Sequence, residues 1–265
     1  MVVEEKRFNN LTGKEWLQNS FSIWRDLRKT KEERELHHPA SFPVALAEKL
    51  LLSFSKKDYN VIDPFVGIGT TLVAAEKTDR KGVGIELSEE FCAITNSRLI
   101  GQNQRVINGD SFAVLKQLEP HSFDLCLTSP PYWDILNQIR SADGKTIKNY
   151  SDEKADLGNI SDYKCFIHTL GDLFTDISRV LKPGGYCLIN VMDIRKKHIF
   201  YPLHMDLSIE LIERGFKFDD LIIWDRQSDY NNMRPLGYPY KFRINKVHEY
   251  ILIFISEVNT RKYEF

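Results

Sequence analysis

At 265 residues and 42% hydrophobic content, the chain is long enough for one large domain with a substantial core, and no second domain is required. Lys and Arg total 36 against 37 Asp and Glu, a net charge of -1, so a polyanion has to be met by a local basic face and not by a global field. Cys92, Cys126, Cys165 and Cys187 are far apart without a Cys-x-x-Cys pair, no apolar run reaches the roughly 18 residues of a membrane span, and Met1 to Asn10 is polar. A disulfide framework, a membrane protein and a secretory leader are thus set aside, and the expected setting is the cytosol.

Thr12-Gly13-Lys14-Glu15 is a capping-box pattern, and behind it Trp16, Leu17, Phe21, Trp24 and Leu27 recur at helical spacing. An amphipathic helix packed on the main core is expected, with residues 1–36 as a helical extension. Lys29 to Glu35 is a mixed charge run, and His37-His38-Pro39-Ala40-Ser41-Phe42-Pro43 punctuates the chain before a helix from about Val44 to Phe54. The adjacent histidines lack a third ligand at helical spacing, and His248-Glu249 lacks the second histidine of a zinc-protease helix, so no metal is expected.

From Tyr59 the pattern becomes strand, glycine turn, helix, strand, the signature of a parallel sheet. Asn60 to Asp63 is the first buried strand. In the turn that follows, Gly67 and Gly69 let backbone approach a ligand, while Thr70 and Thr71 open the next helix. Lys81 to Glu86 is the second strand, and Glu86 lies about 20 residues after Gly67, the spacing of an acid that grips ribose hydroxyls. A third strand ends at Asp110, an acid suited to an adenine amine. Each acid alone is more often a strand-end cap; three in succession with two glycines between the first pair is a less casual arrangement.

The apolar run Phe123 to Leu127 delivers Thr128-Ser129-Pro130-Pro131-Tyr132-Trp133 to the end of a fourth strand. Two prolines fix two φ angles and remove two donors, leaving a rigid acceptor loop with an aromatic beside it. Such a loop suits a planar ring carrying an NH2, with Ser129 and a proline carbonyl accepting the amine protons and Tyr132 against the ring face. Asp134 to Ile160 is long and polar and is expected to overhang the site. A helix over Asp162 to Leu181, a Lys182-Pro183-Gly184-Gly185 turn, a strand over Tyr186 to Val191, a helix over His204 to Arg214, and strands over Phe216 to Trp224 and His248 to Ile255 complete the chain.

These parts, in this order over roughly Leu36 to Phe254, resemble the amino-directed DNA methyltransferases that modify cytosine N4 or adenine N6. His38-Pro39 with Phe42-Pro43 resembles the family's segment before the cofactor strand. Asp63 to Thr71 resembles its S-adenosylmethionine loop, Thr128 to Trp133 its catalytic loop, and Leu181 to Gly185 and Val247 to Phe254 its later turn and strand. The resemblance implies an α/β, Rossmann-like class I methyltransferase fold over residues 37–265, seven-stranded and mostly parallel with the last strand antiparallel, with helices on both faces and no separate large target-recognition domain. It implies cofactor contacts from Phe42, Asp63, Phe65, Gly67, Gly69, Thr70, Thr71, Glu86 and Asp110, and catalysis by Ser129, Pro130, Pro131 and Tyr132. Serine at the head of the catalytic loop is more typical of cytosine-N4 members, so cytosine N4 is expected and adenine N6 is the alternative.

DNA is the expected partner. Arg226, Arg234, Lys241, Arg243 and Lys246 face only Asp229 as an acid over Arg226 to Lys246, with Tyr230, Tyr238 and Tyr240 interleaved. Trp133 could extend the base-stacking wall, and Arg195 and Lys196 could add phosphate contacts, although a short basic run is as often a solvated turn. A restriction endonuclease or a specificity subunit is a further partner class, and the oligomeric state stays open. A methyltransferase for RNA or for a glutamine side chain fits the loop chemistry too. A nicotinamide-dependent dehydrogenase does not: Leu72 occupies the third glycine position, and Asp110 and the Ser-Pro-Pro-Tyr loop are left without a use.

Overall fold

The computed structural model describes residues 7–36, 41–133, 157–229 and 235–256. Strands β1 (Ile23–Trp24), β2 (Asn60–Asp63), β3 (Lys81–Glu86), β4 (Gln104–Asn108), β5 (Phe123–Thr128), β6 (Leu181–Val191), β9 (Lys217–Asp225) and β10 (His248–Ile255) form one sheet in the order β1-β9-β10-β6-β5-β2-β3-β4. All neighbours pair in parallel except β10, which runs antiparallel to both β6 and β9. A small antiparallel hairpin, β7 (Ile194–Lys196) with β8 (Ile199–Tyr201), follows β6.

Helices cover both faces because the buried strands are apolar on both. On one face, α3 (Val44–Phe54) and α4 (Thr70–Lys77) pack Leu46, Leu50, Leu51 and Ala74 over Val61, Leu125, Leu188 and Ile251. On the other, α6 (Ser111–Leu115), α7 (Tyr163–Val180) and α8 (Leu203–Glu213) cover Ile62, Cys126, Ile189 and Leu252. Asp162 caps α7 through its Oδ1, which accepts from Cys165 N at 2.8 Å. Between β3 and β4 runs α5 (Glu89–Arg98).

The N-terminal segment departs from expectation. Helix α1 spans only Gly13–Asn19: its capping box forms at Thr12 and Glu15, but Ser20 Oγ turns back onto Leu17 O at 2.8 Å and ends it. Phe21, Trp24 and Leu27 therefore lie outside the helix. Trp24 instead enters the sheet beside Trp224 as part of β1, is almost wholly buried, donates Nε1 to Asn19 O at 3.2 Å, and carries Lys49 Nζ 4.1 Å above its ring. Burying an indole between sheet and helix outweighs continuing a helix whose Trp16, Leu17 and Phe21 stay exposed. The sheet thus has eight strands where seven were expected, the extra one coming from the stretch read as a helical extension. After a short α2 (Lys31–Glu35), Glu33 Oε1 accepts from Val44 N at 2.7 Å and ties the segment to the start of α3.

Candidate active site

The chain runs outward from β2 through β3 to β4, then returns to β5 on the other side of β2. The crevice beyond the carboxyl ends of β2 and β5 is therefore the topological switch point, where open α/β sheets bind ligands. The two loops singled out from the sequence both leave from it.

Asp63 ends β2 and is 2% exposed. Its Oδ1 accepts from Phe65 N at 3.0 Å and Thr128 Oγ1 at 2.6 Å, and its Oδ2 from Thr71 Oγ1 at 2.5 Å. Burial pushes its carboxyl up to about 6 against the pull of those three donors. Asp63, expected to line the ligand, also ties together the glycine turn, the first turn of α4 and the end of β5; Oδ1 has both lone pairs taken and Oδ2 keeps one. Thr70 and Thr71 are buried with it. Glu86, at the end of β3, is partly buried and takes Gly67 N at 2.9 Å on Oε2 and Ser88 N at 2.8 Å on Oε1. Burial raises its carboxyl above the ordinary range. Each oxygen keeps a lone pair for a hydroxyl, so its donor set fits the ribose role.

Gly69 sits at φ 81° as the residue before α4, and a Cβ there would lie 2.6 Å from Thr95 Cγ2. Only glycine turns the chain there without strain, and no side chain caps the helix N-terminus that follows. Asp110 is the N-cap of α6: Oδ1 accepts from Phe112 N at 3.1 Å. Phe65 packs partly buried against the core, and Phe42 is buried among the residues of the α3 face. His38-Pro39 lies outside the described residues.

Ser129 follows β5. Its Oγ donates to Asn190 O at 3.1 Å and lies 3.2 Å from the Tyr132 hydroxyl. The Tyr132 hydroxyl donates to Glu249 Oε2 at 3.0 Å, and Asn190 Nδ2 donates to the same carboxylate oxygen at 2.5 Å and to the phenol oxygen at 3.2 Å. Arg226 donates to Glu249 Oε1, sits 3.5 Å from an Asp229 oxygen, and stacks over Trp224 at 4.8 Å. Asn190 is not singled out by the sequence, and Glu249 enters there only beside His248 in the metal pattern set aside and within the strand Val247 to Phe254, not as a partner of the catalytic loop. The available signal was a carboxylate inside the apolar run His248 to Ile255, which cannot be buried without partners. Opposite them, on the other face of β6 and β10, buried Asp193 accepts His204 Nδ1 at 2.6 Å while His204 stacks on Tyr250 at 3.9 Å.

Two residues expected to face nucleic acid turn inward. Trp133 is 4% exposed, donates Nε1 to Ile160 O at 2.8 Å, and meets Tyr163 and Tyr201 edge to face at 5.2 and 4.9 Å. It anchors the end of the loop, because an indole with a partner for its N–H gains more in the core than on the surface. Arg226 is drawn in by the buried Glu249. Lys196 lies 4.1 Å over the Trp133 ring, and Arg195 5.3 Å over Phe200. Arg243 donates to Lys197 O at 2.7 Å, and Tyr238, Tyr240, Phe242 and Ile244 stand exposed around it, Tyr240 and Phe242 at 95% and 91%. Tyr230 and Arg234 lie outside the described residues, as do residues 134–156 of the long polar segment.

Residues 3–97 and 123–264 match the sequence profile of the N6/N4 DNA methylases, described as DNA methylase, which is most of the chain. The chain belongs to the DNA methylase family. Among its relatives, the orphan methyltransferase M.BamHII of Bacillus amyloliquefaciens is 43% identical over 83 residues, 30% of this chain and 31% of that protein. The type II methyltransferase M.MthZI of Methanothermobacter thermautotrophicus is 31% identical over 160 residues, 55% of this chain and 42% of that one. The matched stretches thus span less than half the length of these curated relatives. A precorrin 8W decarboxylase from Methanobacterium thermoautotrophicum superposes with a TM-score of 0.51 at 13% identity, over 86% of this DNA methylase and 95% of the decarboxylase, a likeness of fold alone.

Proposed function

We propose that this DNA methylase transfers the methyl group of S-adenosylmethionine to the exocyclic amine of a base in DNA, cytosine N4 in the first instance and adenine N6 as the alternative. The observation that carries the reading is the place of Ser129: a hydroxyl at the switch-point crevice, followed by two prolines and an aromatic, across from the glycine turn and Glu86. The cofactor supplies an electrophilic methyl on sulfur. Glu86 holds its ribose, Asp110 its adenine, and the turn around Gly67 and Gly69 gives backbone access to its polar end.

The chain's own work is on the amine. Its lone pair is delocalised into the ring, so it attacks only once the nitrogen is drawn towards tetrahedral geometry. Ser129 Oγ and the Pro130 carbonyl accept the two amine protons out of the ring plane, and Pro131 keeps the carbonyl in place by fixing φ. Tyr132 holds the ring face. The methylated nitrogen is strongly acidic, and water takes its proton without a tuned base. A base paired in a duplex hides its amine, so the target is flipped out or single-stranded. Tyr238, Tyr240 and Phe242 with Lys241 and Arg243 form a surface of aromatics and cations suited to a DNA strand. A nuclease or specificity subunit is a fitting partner for such an activity.

The test is incubation with methyl-labelled S-adenosylmethionine and duplex DNA, single-stranded DNA and RNA in parallel, followed by digestion to nucleosides and mass spectrometry. Label in N4-methylcytosine from DNA is expected. Label in N6-methyladenine would correct the base, and label only in RNA would overturn the substrate. Tyr132→Ala should lower turnover while cofactor binding survives; undiminished methylation would remove Tyr132 from the mechanism.

A further inference from the structure

Four adjacent strands, β5, β6, β10 and β9, each bring one polar or aromatic residue to the same edge of the sheet: Ser129 just past β5, Asn190 on β6, Glu249 on β10 and Trp224 on β9. The register explains the meeting. Asn190 pairs with Ile251, so Glu249, two residues away on β10, shares its face, and Glu249 pairs with Trp224. Because β10 is antiparallel, its first residues lie at the edge where the parallel strands end. A carboxylate near the start of β10 therefore lies behind the loop that leaves β5.

This arrangement is poorly suited to stability for its own sake. Glu249 is 4% exposed and ion-paired to Arg226, and a buried pair of that kind is often no more stabilising than apolar side chains of the same size. Asn190 must turn its Nδ2 towards the carboxylate, which leaves Asn190 Oδ1 buried with no partner among the described residues. What the carboxylate does gain is a fixed Tyr132. The loop from Ser129 has prolines at 130 and 131 and can donate no backbone hydrogen bond there, so the far end of Tyr132 is the natural point at which to fix it. Burial and the neighbouring carboxylate hold the Tyr132 phenol well above its usual range, so it remains a neutral donor to Glu249.

We propose that Glu249, held by Arg226 and Asn190, is a positioning residue for the reaction: by accepting the Tyr132 hydroxyl it sets the plane of the stacking ring, whose phenol oxygen lies 3.2 Å from Ser129 Oγ. The Glu249 carboxylate is taken up by Tyr132, Asn190 and Arg226, so its effect reaches the reaction through Tyr132. It acts by removing the freedom of the loop before the amine arrives. The proposal rests on the methylase reading above for its effect on turnover, but not for its effect on the loop.

Two measurements keep those apart. Backbone hydrogen exchange followed by mass spectrometry needs no substrate. Glu249→Ala should raise exchange at the amides of Ser129, Tyr132 and Trp133 at least about ten-fold, with β5 unchanged, and Glu249→Gln, which keeps an acceptor oxygen, should raise it less. In the label-transfer assay, Glu249→Ala and Tyr132→Phe should each lower kcat about 10- to 100-fold with the S-adenosylmethionine Kd within about two-fold, and the double variant should be no slower than the worse single one. Multiplying losses, or loop exchange unchanged in both Glu249 variants, would overturn the proposal. Should Glu249→Ala fail to fold, Glu249→Gln and Tyr132→Phe carry the same comparison. A wild-type protein that binds cofactor and methylates no nucleic acid would retire the DNA reading, and the exchange result would still decide Glu249.

Discussion

Replacing Asp63 by asparagine isolates the electrostatics of the strut under the site. In the folded chain burial disfavours the charged carboxylate by more than Thr128, Thr71 and Phe65 favour it, and the group titrates at about 6; in the unfolded chain it returns to its ordinary value of 3.8. The folded state therefore holds the proton more tightly. The stabilisation this gives is complete below 3.8 and is lost as pH rises through about 6. At about 1.4 kcal/mol per pKa unit the loss is about 3 kcal/mol. The asparagine stays neutral throughout. Its carbonyl can keep the bonds from Phe65 and Thr128, and its amide can donate to Thr71 Oγ1 once that hydroxyl turns. Urea unfolding of the ligand-free protein and of Asp63→Asn, from about pH 4 to pH 8, checks this. The stability difference should move in favour of the variant by about 2.5 kcal/mol over that range, most of it before pH 6.5. A difference that does not vary with pH would refute the view that burial opposes ionisation of Asp63.

Other substitutions probe separate parts of the molecule. Gly69→Ala forces a side chain into positive φ and against Thr95, and should cost about 1–3 kcal/mol and weaken cofactor binding; an unchanged melting curve and Kd would show that the turn adapts. Arg80 is buried, with donors to the carbonyls of Thr78, Ser55 and Leu51 and to Ser55 Oγ. Arg80→Ala should destabilise by about 3 kcal/mol in denaturant while turnover per folded molecule holds, and a loss within about 0.5 kcal/mol would mean those carbonyls find other donors. Neutralising Lys241 and Arg243 together should weaken DNA binding and reduce the slope of log K against log salt by about 2; unchanged binding would discard that surface.

The parts of the site legible in the sequence are those encoded in short strings. Asp63 to Thr71 and Thr128 to Trp133 announce themselves because a strand end, its turn and the next helix start are contiguous, and the chemistry of an open α/β sheet lies at strand ends. The strands over Asn60 to Asp63 and Lys81 to Glu86, and the helix over Val44 to Phe54, follow for the same reason. The capping box at Thr12 was equally legible, but the helix it starts was read too long, since Trp24 at helical spacing finds a better burial in the sheet than any i to i+4 neighbour offers.

By itself, then, the sequence determined the order of strands and turns, the acids at their ends and the acceptor loop, all of which depend on neighbours a few residues apart. Only the tertiary structure decided which partners those polar groups find inside the protein. Asp63 ends its strand with no local sign that Thr128, 65 positions away, donates to it. Arg226 and Trp133 look like surface residues until Glu249 and Ile160 turn them inward. Tyr132 and Glu249 meet across 117 positions because β6 lies between β5 and an antiparallel β10, a consequence of sheet order and register. Desolvation sets the reason: a buried charge must be matched by whatever partner the packing brings, and that partner is chosen by the register of distant strands and not by any local pattern.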